Sequence, residues 1–294
     1  MKNVDILIIG GGAAGMSAAI SACKKGKKVI LADENKVLGG ILNQCIHTGF
    51  GLSYFKEDLT GVEYADRLYT MLKNTDAEIF IETTVIKISE DRSALLSNKN
   101  GITKVSFKHL MLATGCIEKT IGSLPVSGTR PKGIFTAGEA QRIINIDHKD
   151  VGDDIVILGS GDIGQIMARR FRILGKNVIA MVEINDHLGG LKLNHKRCIE
   201  AYDIPYILNS TVDEVVGKDY IEGVWIKNIK TNERLLIPCH TLITAIGLTP
   251  DRSLIEDFED IPQWITLCGN SDYVHEIVDA VSMQAEEKIN DLYK

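Results

Sequence analysis

One segment of this chain is written twice. Residues 5–40 read DILIIGGGAAGMSAAISACKKGKKVILADENKVLGG, and residues 154–190 read DIVILGSGDIGQIMARRFRILGKNVIAMVEINDHLGG. At an offset of 149, Asp5 meets Asp154, Gly10 meets Gly159, Gly15 meets Gly164 and Gly26 meets Gly175. Each copy runs apolar strand, glycine-rich turn, helix, glycine, apolar strand and acid, the pattern of a βαβ unit. Parallel strands joined through helices need a sheet covered on both faces. The chain is therefore predicted to be α/β, with two Rossmann-like dinucleotide-binding domains, each three-layered around a central parallel sheet. Its 294 residues suffice for two such cores.

The patterning between and after the repeats fills in the rest. Residues 57–73 suit a helix, and runs near 78–88, 93–98 and 102–107 suit strands. A further strand ends at Leu110-Met111-Leu112-Ala113-Thr114-Gly115. The stretch 117–133 carries Gly122, Pro125, Gly128, Pro131 and Gly133, and reads as a crossing between domains. Short strands are expected near 204–208, 212–216, 220–228 and 233–238, then a buried one over 240–246 that breaks at Gly247 before Pro250. A helix from about Val274 to Leu292 closes the chain. The second domain is thus expected inside the first: residues 1–117 and 243–294 form one, and 118–242 the other.

Several function classes fall away on composition. A net charge of -6 gives no electrostatic reason to bind nucleic acid or an anionic membrane. No run approaches the roughly 18 apolar residues of a membrane span, and the N-terminal apolar run lacks the layout of a signal peptide. The six cysteines, Cys23, Cys45, Cys116, Cys198, Cys239 and Cys268, include no C-x-x-C pair. That argues against a structural zinc or iron–sulfur cluster, and no metal site is expected. Scattered cysteines suit a reducing cytoplasm.

The glycine turns carry the chemistry. In Gly10-Gly11-Gly12-Ala13-Ala14-Gly15 the first glycine turns the chain and the second lets bare backbone approach a pyrophosphate. The third lets helix pack on strand. The phosphates would then sit at the helix N-terminus, where free N–H groups and the dipole favour them. An acid about 20 residues on should take the adenosine ribose hydroxyls. Asp33 lies 33 − 10 = 23 residues after Gly10, and its neighbour Glu34 is the gapless match to Glu183, so the assignment can slip by one. The placement near the N-terminus, followed by Leu38-Gly39-Gly40, is that of FAD in flavoproteins with two dinucleotide sites.

Gly159-Ser160-Gly161-Asp162-Ile163-Gly164 repeats the logic, with Glu183 at 183 − 159 = 24 residues. A carboxylate there accepts from both ribose hydroxyls and repels a 2′-phosphate, so NAD(H) is expected over NADP(H). A second fold that no longer binds nucleotide is the alternative.

With Ala113-Thr114-Gly115 and Ala245-Ile246-Gly247-Leu248-Thr249-Pro250-Asp251, the chain resembles the pyridine nucleotide–flavin oxidoreductases, the superfamily of thioredoxin and glutathione reductases. The resemblance covers nearly the whole chain and implies an NAD domain inserted in an FAD domain, joined at those two segments. The length looks more like a thioredoxin reductase. The redox cysteines of these relatives are missing. Where the glutathione-reductase pair would stand are Leu42 and His47, with Cys45 between, and the stretch similar to the start of the thioredoxin-reductase NAD domain, Gly133-Ile134-Phe135-Thr136-Ala137-Gly138-Glu139-Ala140, has no cysteine. A dithiol relay needs two thiols that can close on each other, so disulfide reduction is not expected.

A subgroup of FAD-dependent oxidoreductases is more similar. It accompanies anaerobic glycerol-3-phosphate-dehydrogenase-like flavoproteins and resembles subunits of sarcosine oxidase, dye-linked proline dehydrogenase and hydrogen cyanide synthase. Residues 39–47, 55–61, 113–116 and 133–138, and Cys268-Gly269-Asn270, carry that resemblance. Ile117-Glu118-Lys119 departs from the subgroup's basic–acidic–basic run. Asn270 stands where most of the superfamily has an aspartate on the flavin ribityl chain; it keeps an acceptor oxygen and adds a donor amide. The resemblance also places the 41–50 loop beside the flavin ring, which makes Cys45 and His47 candidates for moving protons or tuning the flavin, with His275 a weaker one.

The sequence thus predicts an FAD-dependent oxidoreductase moving hydride between NAD(H) and FAD. Electrons would pass onward to a flavoprotein or iron–sulfur partner subunit acting on a small metabolite. FAD contacts are expected from Gly10, Gly12, Ala13, Ala14, Gly15, Asp33 or Glu34, Gly39, Gly40, Ala113, Thr114, Gly115, Gly269 and Asn270. NAD contacts are expected from Gly159, Gly161, Asp162, Ile163, Gly164, Glu183 and Gly247. A single-component substrate dehydrogenase and a non-catalytic FAD-binding subunit are the alternatives; substrate and oligomeric state stay open.

Overall fold

The computed structural model describes residues 2–294. Contacts divide the chain into two compact units, one running to Ile117 and resuming over Thr249–Lys294, the other Glu118–Leu248. The return falls after the expected 243 because the Thr241–Thr244 strand is the second unit's own: it pairs with Asp154–Leu158 on one side and Ile134–Thr136 on the other.

The first unit is built on a seven-stranded sheet. Its parallel part runs Glu78–Phe80, Val29–Ala32, Lys2–Ile9, Gly101–Leu112, with Ile265–Leu267 also laid parallel on Gly101–Leu112. An antiparallel meander, Thr84–Ser89, Ser93–Asn98 and Gly101–Leu112, completes it. Alternation along Ile6-Leu7-Ile8-Ile9 decides which face each side chain joins. Ile6 and Ile8 pack under the helices Ala13–Lys24, Gly61–Lys73 and Val278–Leu292, while Leu7 and Ile9 pack with Val85, Ile88, Ala94 and Leu96 of the meander. Both faces are covered, which is the predicted three-layer arrangement.

The second unit repeats this plan. Five parallel strands lie in the order Ile134–Thr136, Thr241–Thr244, Asp154–Leu158, Asn177–Val182, Tyr206–Ile207. The helices Ala137–Asn145 and Asp162–Ile173 cover one face. A four-stranded sheet of Ser127–Gly128, Ser210–Gly217, Ile221–Asn228 and Arg234–Pro238 covers the other.

Several elements differ from the expectation. The two strands expected near 102–107 and 110–115 are one, Gly101–Leu112, whose start serves the meander and whose end serves the parallel sheet. The run at 78–88 splits at Glu82, which is left-handed at φ 47. The helix expected from 57 starts at Gly61, where the Thr60 side chain and Glu63 form a capping box. The last helix starts at Val278 rather than Val274.

Candidate dinucleotide sites

Each glycine turn sits where strand meets helix. Gly10 has φ +100, and a Cβ there would lie 2.3 Å from the Ala113 carbonyl oxygen; a Cβ on Gly15 would lie 1.8 Å from the Gly10 oxygen. Gly159 (φ +101) and Gly164 meet Ala245 and Gly159 in the same way, at 2.2 and 2.6 Å. Only glycine permits these approaches. Gly12 and Gly161 are different, since a Cβ on either meets no protein atom within 4 Å. Both are extended N-caps, of Ala13–Lys24 and Asp162–Ile173, without a side-chain cap. Their helix N-termini therefore open onto space bordered by bare backbone, the shape a pyrophosphate needs.

The acids stand beside these turns. Asp33 is 8% exposed and accepts from the Gly11 N–H at 2.6 Å through Oδ2, and from the Asn35 N–H and Nδ2 at 2.7 and 3.1 Å through Oδ1. Glu34 is exposed. Glu183, 6% exposed, repeats the contacts of Asp33: Oε2 accepts from the Ser160 N–H at 3.1 Å, and Oε1 accepts from the Asn185 N–H and Nδ2 at 2.9 and 2.8 Å. Asp33, not Glu34, is thus the structural partner of Glu183. The slip has a cause in the sheet. The first repeat pairs Ile6–Ile9 with Val29–Ala32 without a break, but in the second Ile155 pairs with Val178 and Val156 with Ala180. Ile179 is the extra residue of a β-bulge, so the repeats are offset by 149 before it and 150 after. Burial pushes the Glu183 carboxyl up, but hydrogen bonds from Ser160 and Asn185 outweigh it and hold the group below its usual value.

The remaining candidates fall around these two centres. In the first unit the Gly39 N–H donates to the Gly11 carbonyl at 2.8 Å, and a Cβ on Gly40 would stand 3.4 Å from Gly12 Cα. The Thr114 hydroxyl donates to the Asp251 carbonyl at 2.7 Å, and the Asp251 N–H to Gly115 at 3.0 Å. Gly269 is left-handed at φ +63 and packs against Ala14. The Asn270 oxygen accepts from the His275 N–H at 3.0 Å and faces its Nδ1 at 3.3 Å, while Asn270 Nδ2 reaches Cys116 Sγ at 3.6 Å. One acceptor position of Asn270 therefore goes to its own turn. His275 stacks on Tyr273 with ring centroids 4.1 Å apart, and burial lowers its pKa.

In the second unit Ile163 lies in the first turn of the Asp162–Ile173 helix beside Gly164, and Gly247 accepts from the Lys119 N–H at 2.9 Å. Asp162 Oδ1 accepts from the Leu191 N–H at 2.8 Å and from Asn194 Nδ2 at 2.7 Å. The carboxylate expected to face a nucleotide thus ties down the segment after Gly190. Glu118, in the run that departs from the subgroup pattern, takes the Gly138 N–H at 2.9 Å near the start of the Ala137–Asn145 helix.

Cys45 and His47 each contact a backbone carbonyl. Cys45 Sγ donates to the Ile41 carbonyl at 3.3 Å, and burial pushes its pKa up to about 12. His47 Nδ1 lies 3.0 Å from its neighbour's Thr48 carbonyl, and the ring packs on Phe50. A thiol held protonated is a poor nucleophile. Two features of the sites lie outside the expected residues: Ser160, and the Asn that follows each acid at two residues' distance. The second was visible as Asp33-Glu34-Asn35 and Glu183-Ile184-Asn185.

Two paired βαβ cores, each with a pyrophosphate-shaped turn and a carboxylate beside it, define a protein with two dinucleotide folds. A profile of the family "Pyridine nucleotide-disulphide oxidoreductase" matches residues 4–262, and the chain belongs to that family. It is 26% identical over 271 residues to the "34.2 kDa protein in rubredoxin operon" of Clostridium pasteurianum, covering 90% of this chain and 82% of that one. Over 187 residues it is 27% identical to hydrogen cyanide synthase subunit HcnB of Pseudomonas aeruginosa, covering 62% of this chain and 39% of HcnB. Among solved structures, the thioredoxin reductase of T. acidophilum superposes with a TM-score of 0.80 at 21% identity, covering 100% of this chain and 98% of that one. The chain is an oxidoreductase with the two-domain Rossmann-like fold of the thioredoxin reductases, and its family binds FAD and NAD(P). No helix of the described residues is long and apolar enough to cross a membrane.

Proposed function

We propose that the first unit holds FAD, the second holds NAD(H), and the enzyme moves reducing equivalents between them and on to a partner protein. The bound cofactors would supply the hydride chemistry itself. The chain's own residues bind and orient: Gly12, Ala13 and Ala14 at one helix N-terminus and Gly161 at the other face the phosphates, while Asp33 and Glu183 take the riboses. Gly39, Gly40, Ala113–Gly115, Gly269 and Asn270 complete the flavin site. The repeated geometry of acid on glycine turn carries this reading, since the three donors on Asp33 recur on Glu183 after an offset that the bulge explains. The buried, ionised Glu183 supports NAD(H) over NADP(H), because a 2′-phosphate would meet a carboxylate at close range.

The redox partner is inferred from what the chain lacks. Burial raises the thiol pKa of Cys45, Cys239 and Cys268 to about 12 each and also raises those of Cys23 and Cys198. These thiols do not suit a dithiol relay, and they fit a reducing cytoplasm. The likeness to a subunit of hydrogen cyanide synthase supports a partner that acts on a small metabolite, such as a glycerol-3-phosphate-dehydrogenase-like flavoprotein or an iron–sulfur subunit. Anaerobic titration of the yellow holoprotein with NADH and with NADPH tests the reading. NADH should bleach the flavin at lower concentration; no bleaching by either would overturn it.

A further inference from the structure

The two acids differ in how many acceptor positions the protein leaves them. A carboxylate offers about four. Asp33 takes three donors: Gly11 N–H, Asn35 N–H and Asn35 Nδ2. Glu183 takes the three equivalents and a fourth, the Ser160 hydroxyl, at 2.5 Å on Oε2. Ser160 is fully buried, and its oxygen also accepts the Gly189 N–H at 2.7 Å. The first-unit counterpart is Gly11, which has no side chain; a Cβ there would stand 2.4 Å from Leu38 Cδ2 and 3.0 Å from Asp33 Oδ2, so Leu38 would have to move to admit one. The hydroxyl is therefore a feature of the second site alone.

We propose that Ser160 is the affinity- and specificity-setting residue of the second unit, its hydroxyl occupying the Glu183 acceptor position that the ribose 2′-hydroxyl would use. The inference rests on the reading of that unit as a nicotinamide nucleotide site. Two of the four donors are backbone N–H groups fixed by the turn and the strand end. An incoming 2′-hydroxyl must then displace a side-chain donor, either Ser160 Oγ or Asn185 Nδ2. Rotating Ser160 away also strips the acceptor from Gly189, so the displacement costs two contacts. A 2′-phosphate brings no hydroxyl donor at that position and gains nothing from the release.

The test is equilibrium titration of NADH and NADPH against the FAD-loaded protein, comparing wild type with S160G and S160A. Both variants should tighten NADH by about fivefold, the worth of one net hydrogen bond. NADPH should stay within about twofold, so the NADH/NADPH ratio rises. A general loosening of the fold would weaken both nucleotides together, which separates it from the proposed effect. S160A lacks only the oxygen and carries the same expectation should S160G fail to fold. Unchanged or weaker NADH binding in the variants, with wild type binding normally, overturns the role of Ser160 and leaves the nucleotide site standing. If neither nucleotide binds wild type or variants, the site itself is wrong and the inference goes with it.

Discussion

A methyl group added at Gly12 would meet no protein atom within 4 Å, whereas at Gly15 it would stand 1.8 Å from a carbonyl oxygen. The two glycines of one motif therefore serve different ends, one for a ligand and one for the fold. Gly12→Ala and Gly161→Ala should fold with melting temperatures close to wild type, since both positions have ordinary negative φ. Yet the first should lose FAD and the second should lose NADH binding. Gly15→Ala should cost about 3 kcal/mol or more, because the backbone of the preceding turn has to give way. Flavin content and thermal melts of the three variants check this, and a Gly12→Ala protein that keeps FAD would count against the assignment. Glu183 gives a second residue-scale expectation. Its carboxyl sits below the ordinary value of 4.5 in the folded chain, so its contribution to stability is present above that pH and fades as pH falls through the lowered value. The stability difference between wild type and Glu183→Gln, from urea unfolding across pH 3–7, should shrink on acidification; a flat difference would show that the ionised form is not favoured.

The elements show what sequence could and could not carry. The two βαβ units were legible because their signal is local: apolar strand, glycines at fixed spacing, helix, strand. The choice between Asp33 and Glu34 was not, because it turns on strand register. The extra residue, Ile179, is one apolar residue among Val178, Ile179 and Ala180, and nothing in its chemistry marks a bulge. The split at Glu82 was hidden for the same reason, a left-handed residue of a type that favours no such conformation. Long-range anchors were also invisible. Asp279 is 4% exposed and its two oxygens accept the N–H groups of Gly51, Ser53 and Tyr54 at 2.9, 2.6 and 3.2 Å. Its partners lie more than 200 residues away, so no spacing rule could pair them. It ties the loop that follows Cys45 and His47 to the start of the final helix. Asp279→Ala should destabilise the first unit by about 3 kcal/mol, leaving three backbone donors without their acceptor. Hydrogen exchange should speed up at residues 51–54 in particular, and exchange unchanged there would remove the anchoring role.

At the scale of the whole molecule the question is how many electrons one chain stores. A flavoprotein that also carries a redox disulfide takes up two electrons in the flavin and two more in the sulfur pair. The family to which the chain belongs is named for that second centre. Here the glutathione-reductase positions hold Leu42 and His47, and the thioredoxin-reductase stretch 133–140 holds no cysteine. Cys45, the thiol nearest the first of these, is buried, bonded to the Ile41 carbonyl and held protonated with a pKa of about 12. Attack by a thiol requires thiolate, and burial works against that form at Cys45. Anaerobic reductive titration should therefore reach full bleaching at about one equivalent of a two-electron reductant per flavin, where a flavin–disulfide enzyme would take about two. Cys45→Ala should titrate as wild type does. An endpoint near two equivalents that falls to one in Cys45→Ala would reveal a sulfur pair, and would turn the proposed function from electron delivery to a partner back towards disulfide reduction.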